Sequence, residues 1–315
     1  MRHAGLAGAL RAALPAMVFA LLLGCIFWQQ PRTMSYFGVN LLLSLALPVL
    51  LASMAQMLLM AIGDLDLSIG SFVSLVTCVA AVVLPAHPVL GFACLLALVG
   101  AYALVGLLVA WRELPAVVVT LGLSFVWLGL AVILLPTPGG MAPDWLAGLM
   151  HARPPVLPLS LWGALLVAVL MQLAVMRSAL GTVVRGMGGN ARAVTRSGWN
   201  LLALRSGVYA AAGALGVLSG LALVGTTTSG DANLAGRYTL LTIAAVILGG
   251  GEFVGGRVSP VGAVLGALTL TLAASLLTFL HVPSDWQIGV QGLILILVLA
   301  LHAAIALLST RRAAA

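Results

Sequence analysis

The residues best suited to chemistry lie in one nine-residue stretch, "GDLDLSIGS", residues 63–71, between long apolar runs. At a lipid-facing helix centre, Asp64 and Asp66 would each raise the free energy of membrane insertion by about 2.5–3.5 kcal/mol, whereas a Leu or Ile lowers it by only about 0.3–0.6 kcal/mol. The carboxylates are therefore expected to face water, a partner group or a cavity. Two interpretations stay open. The stretch is either a turn in which Ser68 and Ser71 cap the following helix, or a gate of a translocation path.

The composition predicts a membrane protein. Of the 315 residues, 63% are hydrophobic and 7% are charged, against about 25% charged in a soluble domain. Most apolar runs reach the roughly 17–25 residues that a spanning helix needs, but 71–84 and 238–251 are expected to be too short to cross as straight helices. The sequence thus predicts an all-α polytopic membrane protein with about ten transmembrane helices, near 12–28, 38–62, 71–84, 88–111, 115–135, 159–176, 206–226, 238–251, 260–281 and 285–308.

The distribution of arginines bears on the span count and the orientation. All 14 basic residues are Arg. With the N-terminus in the cytoplasm and ten alternating spans, only Arg32, Arg153 and Arg237 fall outside, as the preference of Lys and Arg for cytoplasmic loops requires. The pattern predicts cytoplasmic N- and C-termini, an external loop at 136–158 and a cytoplasmic loop at 177–205. Topology accounts for the basic charge, so nucleic-acid binding is not expected.

The chain is expected to be one membrane domain, 1–315, with a retained N-terminal helix at about 12–28. Spans two to five (about 38–135) and seven to ten (about 206–308) each contain a long helix, a short helix and two full ones. An offset of five spans would give the two halves opposite topology. Inverted halves with interrupted helices are typical of transporters.

Three motifs carry a resemblance to the permease subunits of bacterial ABC importers of the ribose, xylose and arabinose type. The first stretch resembles their G-G-I-D-L-S-V-G-S motif, although Asp64 stands where the family usually has Gly. "GMGGNARAVTRSGWN" is similar to A-x-G-G-N-x-x-A-A-x-x-S-G-I-N, and "VILGGGEFVGGRVSPVGAVLGA" to V-x-G-G-T-S-x-x-G-G-R-G-S-x-x-G-x-x-x-G, with departures at Gly251, Glu252 and Val258. The matching positions are Gly63, Asp66, Leu67, Ser68, Gly70 and Ser71; Gly188, Gly189, Asn190, Ala193, Ser197, Gly198 and Asn200; and Gly249, Gly250, Gly255, Gly256, Arg257, Ser259, Gly262 and Gly266.

The resemblance covers about residues 38–305 and implies a multi-pass permease in the bacterial inner membrane. It further implies a pair of ATP-binding subunits, a periplasmic solute-binding protein and a second permease chain, identical or different, with membrane lipid around them and no cofactor. The solute would be a sugar or a sugar-like compound.

The segment "NARAVTRSG" has the ends of a short helix, independently of the resemblance. Asn190 is a good N-cap, Gly198 suits the position after a helix, and Arg192 and Arg196 are neighbours on one face. A seven-residue helix is unstable alone and needs something to dock against. A solvated basic loop near anionic lipid is the alternative. The resemblance implies a coupling helix seated on the ATPase, with contacts through Gly188, Gly189, Asn190, Arg192, Ala193, Arg196, Ser197 and Gly198.

Two other function classes remain as alternatives. A chain without Lys contains no phosphate loop ending in Lys-Ser or Lys-Thr, so ATP hydrolysis is expected on a separate subunit. An ion-coupled secondary transporter also suits inverted halves, but such carriers usually bury charge at mid-span, whereas the acids here lie near predicted span ends. An intramembrane hydrolase is disfavoured because Ser124 lacks a motif, and because Asp64 and Asp66 share one turn. Neither catalytic nor metal-binding residues are expected.

A path for a neutral solute needs hydroxyl and amide groups with few charges. Each candidate is weighed against ordinary hydrogen bonding between helices, and Trp127 either stacks on a sugar ring or faces lipid. The candidates for the path or gate are Asp64, Asp66, Ser68, Asn40, Gln56, Thr120 and Trp127. The structural breaks are assigned to Gly63, Gly70, Gly249, Gly250, Gly255, Gly256 and Arg257.

Overall fold

The computed structural model describes residues 2–253 and 255–283, together with five positions between 286 and 296. Within these residues the fold is helical and contains no β-strand; one isolated bridge joins Gly139 and Gly230. The prediction of an all-α chain is confirmed.

The helices follow one another in this order: α1 (Arg2–Gln29), α2 (Tyr36–Leu42), α3 (Ala46–Ala61), α4 (Ile69–Cys78), α5 (Leu84–Ala86), α6 (Pro88–Trp111), α7 (Ala116–Leu134), α8 (Asp144–Met150), α9 (Leu159–Met171), α10 (Ala179–Arg196), α11 (Leu201–Thr227), α12 (Tyr238–Leu248) and α13 (Pro260–Phe279). A 3₁₀ turn covers Pro31–Met34, and π-helical stretches cover Val79–Val83 and Gln172–Arg177.

Among the described residues, six segments are long and apolar enough to cross a membrane: Ile69–Ala86, Pro88–Trp111, Ala116–Leu134, Leu159–Arg177, Leu201–Thr227 and Pro260–Phe279. The helices α2 and α3, bent by 44° relative to each other, would form a seventh span. Pro15–Gln29 and α12 are shorter apolar helices. The run predicted at 285–308 lies outside the described residues. The multi-pass architecture is confirmed, whereas the count of ten and the inverted halves stay predictions.

The run at 71–84 is longer than the sequence suggests. The helical segment Ile69–Ala86 has 18 residues and is long enough to span, so the expected length was wrong, although the π-helical stretch Val79–Val83 interrupts the regular helix. Pro85 looks like a stop because it has no N–H to donate to the Ala81 carbonyl one turn earlier. That carbonyl oxygen accepts from the Met141 N–H instead, at 3.0 Å. At 238–251 the short helix is confirmed, since α12 has 11 residues.

Both long loops contain helical structure. The segment 136–158 includes α8, whose Leu146 is buried together with Ala142, Leu84 and Val224. In the segment 177–205, α10 occupies most of the length and α11 begins at Leu201, ahead of the span predicted from residue 206. The Asn200 side chain explains the early start, because its oxygen accepts from the Leu202 and Ala203 N–H groups at 2.9 and 3.3 Å.

The centre of the molecule is α3. Fourteen of its 16 residues are buried, and it packs against α11, α12 and α13. By contrast, only 22% of α6 and 17% of α7 is buried within the chain, and their large apolar side chains point outward, as expected for helices in lipid. The central helix ends at the polar break that contains both aspartates, so this break lies where most of the helices meet.

Candidate functional site

Asp66 is fully buried and accepts hydrogen bonds on both carboxylate oxygens. Its Oδ1 accepts from the Ser68 N–H at 2.6 Å and from the Ser68 hydroxyl at 2.7 Å. Its Oδ2 accepts from the Tyr102 hydroxyl of α6, also at 2.7 Å. Ser68 holds the N-cap position of α4, but its side chain does not cap the helix. Of the two interpretations, the turn in which serines cap α4 is contradicted: the Ser68 side chain accepts from no helix N–H and donates to Asp66, and Ser71 lies inside the helix.

The backbone around Asp66 is held by side chains from two other helices. The Gln56 amide, oriented so that its nitrogen faces an acceptor, donates to the Asp66 carbonyl at 3.1 Å and accepts from the Asp66 N–H at 3.3 Å. The Thr120 hydroxyl accepts from the Leu67 N–H at 3.1 Å and lies 3.3 Å from the Leu65 carbonyl. A chain segment without helical hydrogen bonds is tolerated at depth only when its polar groups are satisfied in this way.

The Asp64 carboxylate forms a different set of contacts, with two side chains of α11. The Arg205 guanidinium binds its carboxylate with two bonds, Nε to Oδ2 at 2.8 Å and Nη2 to Oδ1 at 2.6 Å. The Tyr209 hydroxyl donates to Oδ2 at 3.1 Å. Asp64 is 5% exposed and Arg205 22% exposed, so the pair is largely shielded from water.

The remaining predicted path residues are not all at this site. Trp127 is buried rather than lipid-facing: its ring stacks near Tyr102 at 6.4 Å and meets Phe72 edge-on at 5.7 Å. Its indole N–H has no hydrogen-bond partner among the described residues. Asn40 is half-buried on α2, at the opposite end of α3 from the break.

The segment 177–205 forms the short helix that its end residues predict. At Asn190 the backbone of α10 leaves the helical conformation (φ −156°, ψ 86°), and the Asn190 side chain accepts from the Ala193 N–H at 3.1 Å. Gly198 follows the helix with φ +87°, a conformation that glycine adopts without strain. On this short helix, the second part of α10, Val194 faces inward while Arg192 and Arg196 are exposed.

The first part of α10 contacts both glycine-rich breaks. A Cβ atom on Gly188 would overlap the Ala61 carbonyl at the end of α3, and one on Gly256 would overlap the Arg185 carbonyl. Gly189 faces the Gly255 carbonyl, 3.5 Å from where its Cβ would lie. The three sequence motifs, although far apart along the chain, thus meet around α10.

The second break, residues 249–259, is shaped by its backbone. Gly250, Gly255 and Gly256 have φ values of +86°, +90° and +66°. Its one charged pair among the described residues, Arg257 with Glu252, is 3.5 Å apart with side chains 75% and 55% exposed. Beside this contact, a groove of about 460 Å³ is lined by residues of the break and of the first part of α10. Within the described chain, no cluster of three His, Cys, Asp or Glu side chains is placed to hold a metal ion.

Comparison with known proteins assigns the family. Residues 38–299 match the family model described as the branched-chain amino acid transport system / permease component. The chain belongs to this permease family. Its relatives include the autoinducer 2 import system permease protein LsrC of Yersinia enterocolitica, which is 29% identical over 91% of this chain and 80% of the relative. The protein of the same name from Salmonella typhimurium strain LT2 is 30% identical over 86% of this chain and 77% of the relative. The probable ABC transporter permease protein YphD of Escherichia coli K12 is 31% identical over 78% and 75%. No solved structure gives a significant match.

Membership confirms the resemblance drawn from the three motifs. The permease is a multi-pass membrane component of an ABC importer and not an enzyme, and neither the hydrolase nor the ion-coupled carrier has support from its relatives. ABC permeases work with an ATPase and a substrate-binding partner, and the permease shares that general requirement.

Arg205, Tyr209 and Tyr102 are the functional candidates that the sequence does not reveal. By sequence, Arg205 is only one of the cytoplasmic arginines. A carboxylate in an apolar setting requires a partner, and an arginine at the start of an apolar run is a candidate for that partner. The sequence does not show which arginine pairs with Asp64, because Arg205 lies 141 positions away.

Proposed function

We propose that this permease imports a small neutral solute of the sugar class, and that a cytoplasmic ATPase pair drives it through the short helix 191–196. The observation that supports this proposal is the contact of α10 with both breaks. At Gly188 and at Gly256 the backbones are in close contact, so a displacement of α10 toward the end of α3 or toward the second break is expected to move that backbone. The short helix, which is the second part of α10, exposes Arg192 and Arg196 to a partner.

The two exposed arginines make the proposed docking surface basic. Arg192 and Arg196 lie one turn apart and are free to meet carboxylates of an ATPase subunit. Arg192→Glu together with Arg196→Glu is expected to abolish ATP-dependent uptake and co-purification with the ATPase, while the purified permease elutes as a folded protein. Arg32→Glu with Arg153→Glu, on the predicted outer side, is the matched control. Unchanged uptake in the double Arg192/Arg196 variant would refute the docking assignment.

The solute class rests on the relatives and on one outer groove. Two of the relatives are named for import of autoinducer 2, whereas the family description names branched-chain amino acids. A groove of about 390 Å³ between α2, α3, α12 and α13 is lined mainly by apolar side chains, and Arg237, Tyr238 and the hydroxyls of Ser44, Thr271, Ser275 and Thr278 also face it. Each hydroxyl already donates to a backbone carbonyl and so offers a lone pair to a solute hydroxyl.

Competition decides between the two solute classes. In proteoliposomes that hold the permease, its ATPase and its binding protein, uptake of a labelled pentose or hexose and uptake of labelled leucine are each to be measured under ATP. Sugar uptake that unlabelled leucine does not lower, without uptake of leucine, supports the proposal. Leucine uptake without sugar uptake would refute the sugar class and favour an amino acid.

We also propose the arrangement of the assembly. Residues 1–315 form one membrane domain in the bacterial inner membrane with both termini cytoplasmic, and 38–135 and 206–308 are inverted halves. The arginine distribution supports this orientation, and the packing of α3 against α11, α12 and α13 supports one body made from both halves. Two permease chains, one ATPase pair and one periplasmic binding protein complete the importer.

The orientation can be tested by labelling one cysteine on the short helix. Thr195 is exposed there, so Thr195→Cys, in a chain whose three native cysteines are replaced by Ala, offers one accessible thiol. A thiol reagent that does not cross membranes is expected to label it from the cytoplasmic side only. Labelling from the periplasmic side would reverse the orientation.

A further inference from the structure

The two aspartates of the first break are held by different parts of the permease. Asp66 is bound by Tyr102 of α6 and by its own turn, whereas Asp64 is bound by Arg205 and Tyr209 of α11. The helix α11 directly follows the short helix 191–196. One carboxylate therefore binds the break to α6, and the other binds it to α11, the helix that follows the proposed coupling helix.

The connection between the short helix and α11 is itself hydrogen-bonded. The Gly198 N–H donates to the Thr195 carbonyl at 3.0 Å, and the Trp199 N–H donates to the Val194 carbonyl at 3.4 Å. Asn200 then caps α11. Because the connecting residues are engaged in this way, a movement of the short helix is passed to the first turns of α11, where Arg205 lies.

We infer that the contact of Asp64 with Arg205 and Tyr209 is a transmission link that carries movement of the short helix 191–196 to the break at the end of α3. None of the three side chains lines either groove described above, so they act as positioning residues. This inference rests on the proposed function, because it presupposes that the short helix is moved by an ATPase.

The geometry of the Asp64–Arg205 pair is suited to transmitting movement because it is rigid. A guanidinium that binds a carboxylate with two parallel bonds fixes direction as well as distance. Burial adds to this, because separating a shielded ion pair leaves two poorly solvated charges. A displacement of α11 is therefore expected to draw Asp64 with it rather than to break the pair.

The test compares solute transported per ATP hydrolysed in proteoliposomes with the permease, its ATPase and its binding protein. Asp64→Asn and Arg205→Gln are each expected to lower this ratio by about fivefold or more, the lower end of the range for coupling between sites. Co-purification with the ATPase should be unchanged. Asp144→Asn with Arg153→Gln, which removes one acid and one base from the exposed external segment, is the matched control and should keep the wild-type ratio.

The double variant Asp64→Asn/Arg205→Gln separates a linked pair from two independent contributions. A single link predicts a loss of about fivefold in the double variant as well, whereas independent effects would multiply to about twenty-five-fold. Unchanged ratios in the single variants, or multiplied losses in the double variant, would overturn the inference.

A milder variant keeps the test decisive if these variants fail to fold. Tyr209→Phe leaves both charges in place and removes one hydroxyl, so it is expected to fold and to lower the ratio by about twofold, since one hydrogen bond contributes less than the ion pair. A wild-type ratio in Tyr209→Phe, with the other variants unfolded, would also overturn the link. Failure of the wild-type assembly to transport with ATP would instead refute the proposed function, so the two failures are distinguishable.

Discussion

The two breaks of the permease interrupt apolar helices in different ways. The first break, residues 63–68, buries two carboxylates and is bound by side chains from α3, α6, α7 and α11. The second break, residues 249–259, takes its shape from glycines with positive φ and carries an exposed pair, Glu252 and Arg257. Both lie against α10. Specific polar contacts hold the first break and backbone shape holds the second, so substitutions should affect them unequally.

The largest expected difference follows from removing one partner of each charged pair. Arg205→Ala leaves Asp64 buried and unpaired, which is expected to lower the free energy of unfolding by about 3–5 kcal/mol. Arg257→Ala removes the partner of the exposed Glu252 and should change it by about 0–1 kcal/mol. Unfolding in mixed detergent micelles measures both. Equal losses would remove the distinction between the breaks.

A smaller effect is expected from the hydrogen bond that Asp66 accepts from α6. Tyr102→Phe keeps the ring and its packing against Phe72 but withdraws a donor from a buried carboxylate. The expected loss in the free energy of unfolding is about 1–3 kcal/mol. Tyr36→Phe serves as the control, because its hydroxyl donates to the Pro154 carbonyl in an exposed position. A loss no larger than that of the control would show that Asp66 is satisfied without Tyr102.

The contact of α10 with the first break can be tested by adding one methyl group. Gly188→Ala places a Cβ against the Ala61 carbonyl, where only a shift of the backbone makes room, and overpacking of this kind costs about 1–3 kcal/mol. Gly189→Ala places its Cβ 3.5 Å from the Gly255 carbonyl, an ordinary contact. Thermal inactivation of the two variants in detergent should therefore differ. Identical behaviour would mean that α10 does not lie tightly on the end of α3.

The smallest effect is expected for strain within the second break. Gly250 has φ +86° and open space where a Cβ would lie, so Gly250→Ala is opposed by conformation alone, at about 1–2 kcal/mol. Gly207→Ala, in the second turn of α11 with equally open surroundings and helical backbone, is expected to be neutral or stabilising. Thermal inactivation in detergent compares the two. A stabilised Gly250→Ala variant would show that the break does not require left-handed backbone.

Local features of the permease could be predicted from the sequence, and distant pairings could not. Asn190 and Gly198 define a helix through bonds within a few residues, so their roles follow from residue type and spacing. Asp64 is recognisable as a group in need of a partner, but the partner is brought to it by the packing of α11. The length of the Ile69–Ala86 helix could not be predicted for the same reason. The Ala81 carbonyl, to which Pro85 has no N–H to donate, accepts from the N–H of Met141, which lies far along the chain.

Transport through this permease is proposed to depend on a nucleotide-hydrolysing partner that acts on the short helix 191–196. The most direct measurement is uptake of a labelled sugar into proteoliposomes, with the permease alone under a proton or sodium gradient and with the permease plus ATPase and binding protein under ATP. Accumulation is expected only in the second preparation. Accumulation by the permease alone, without the ATPase, would contradict the proposal.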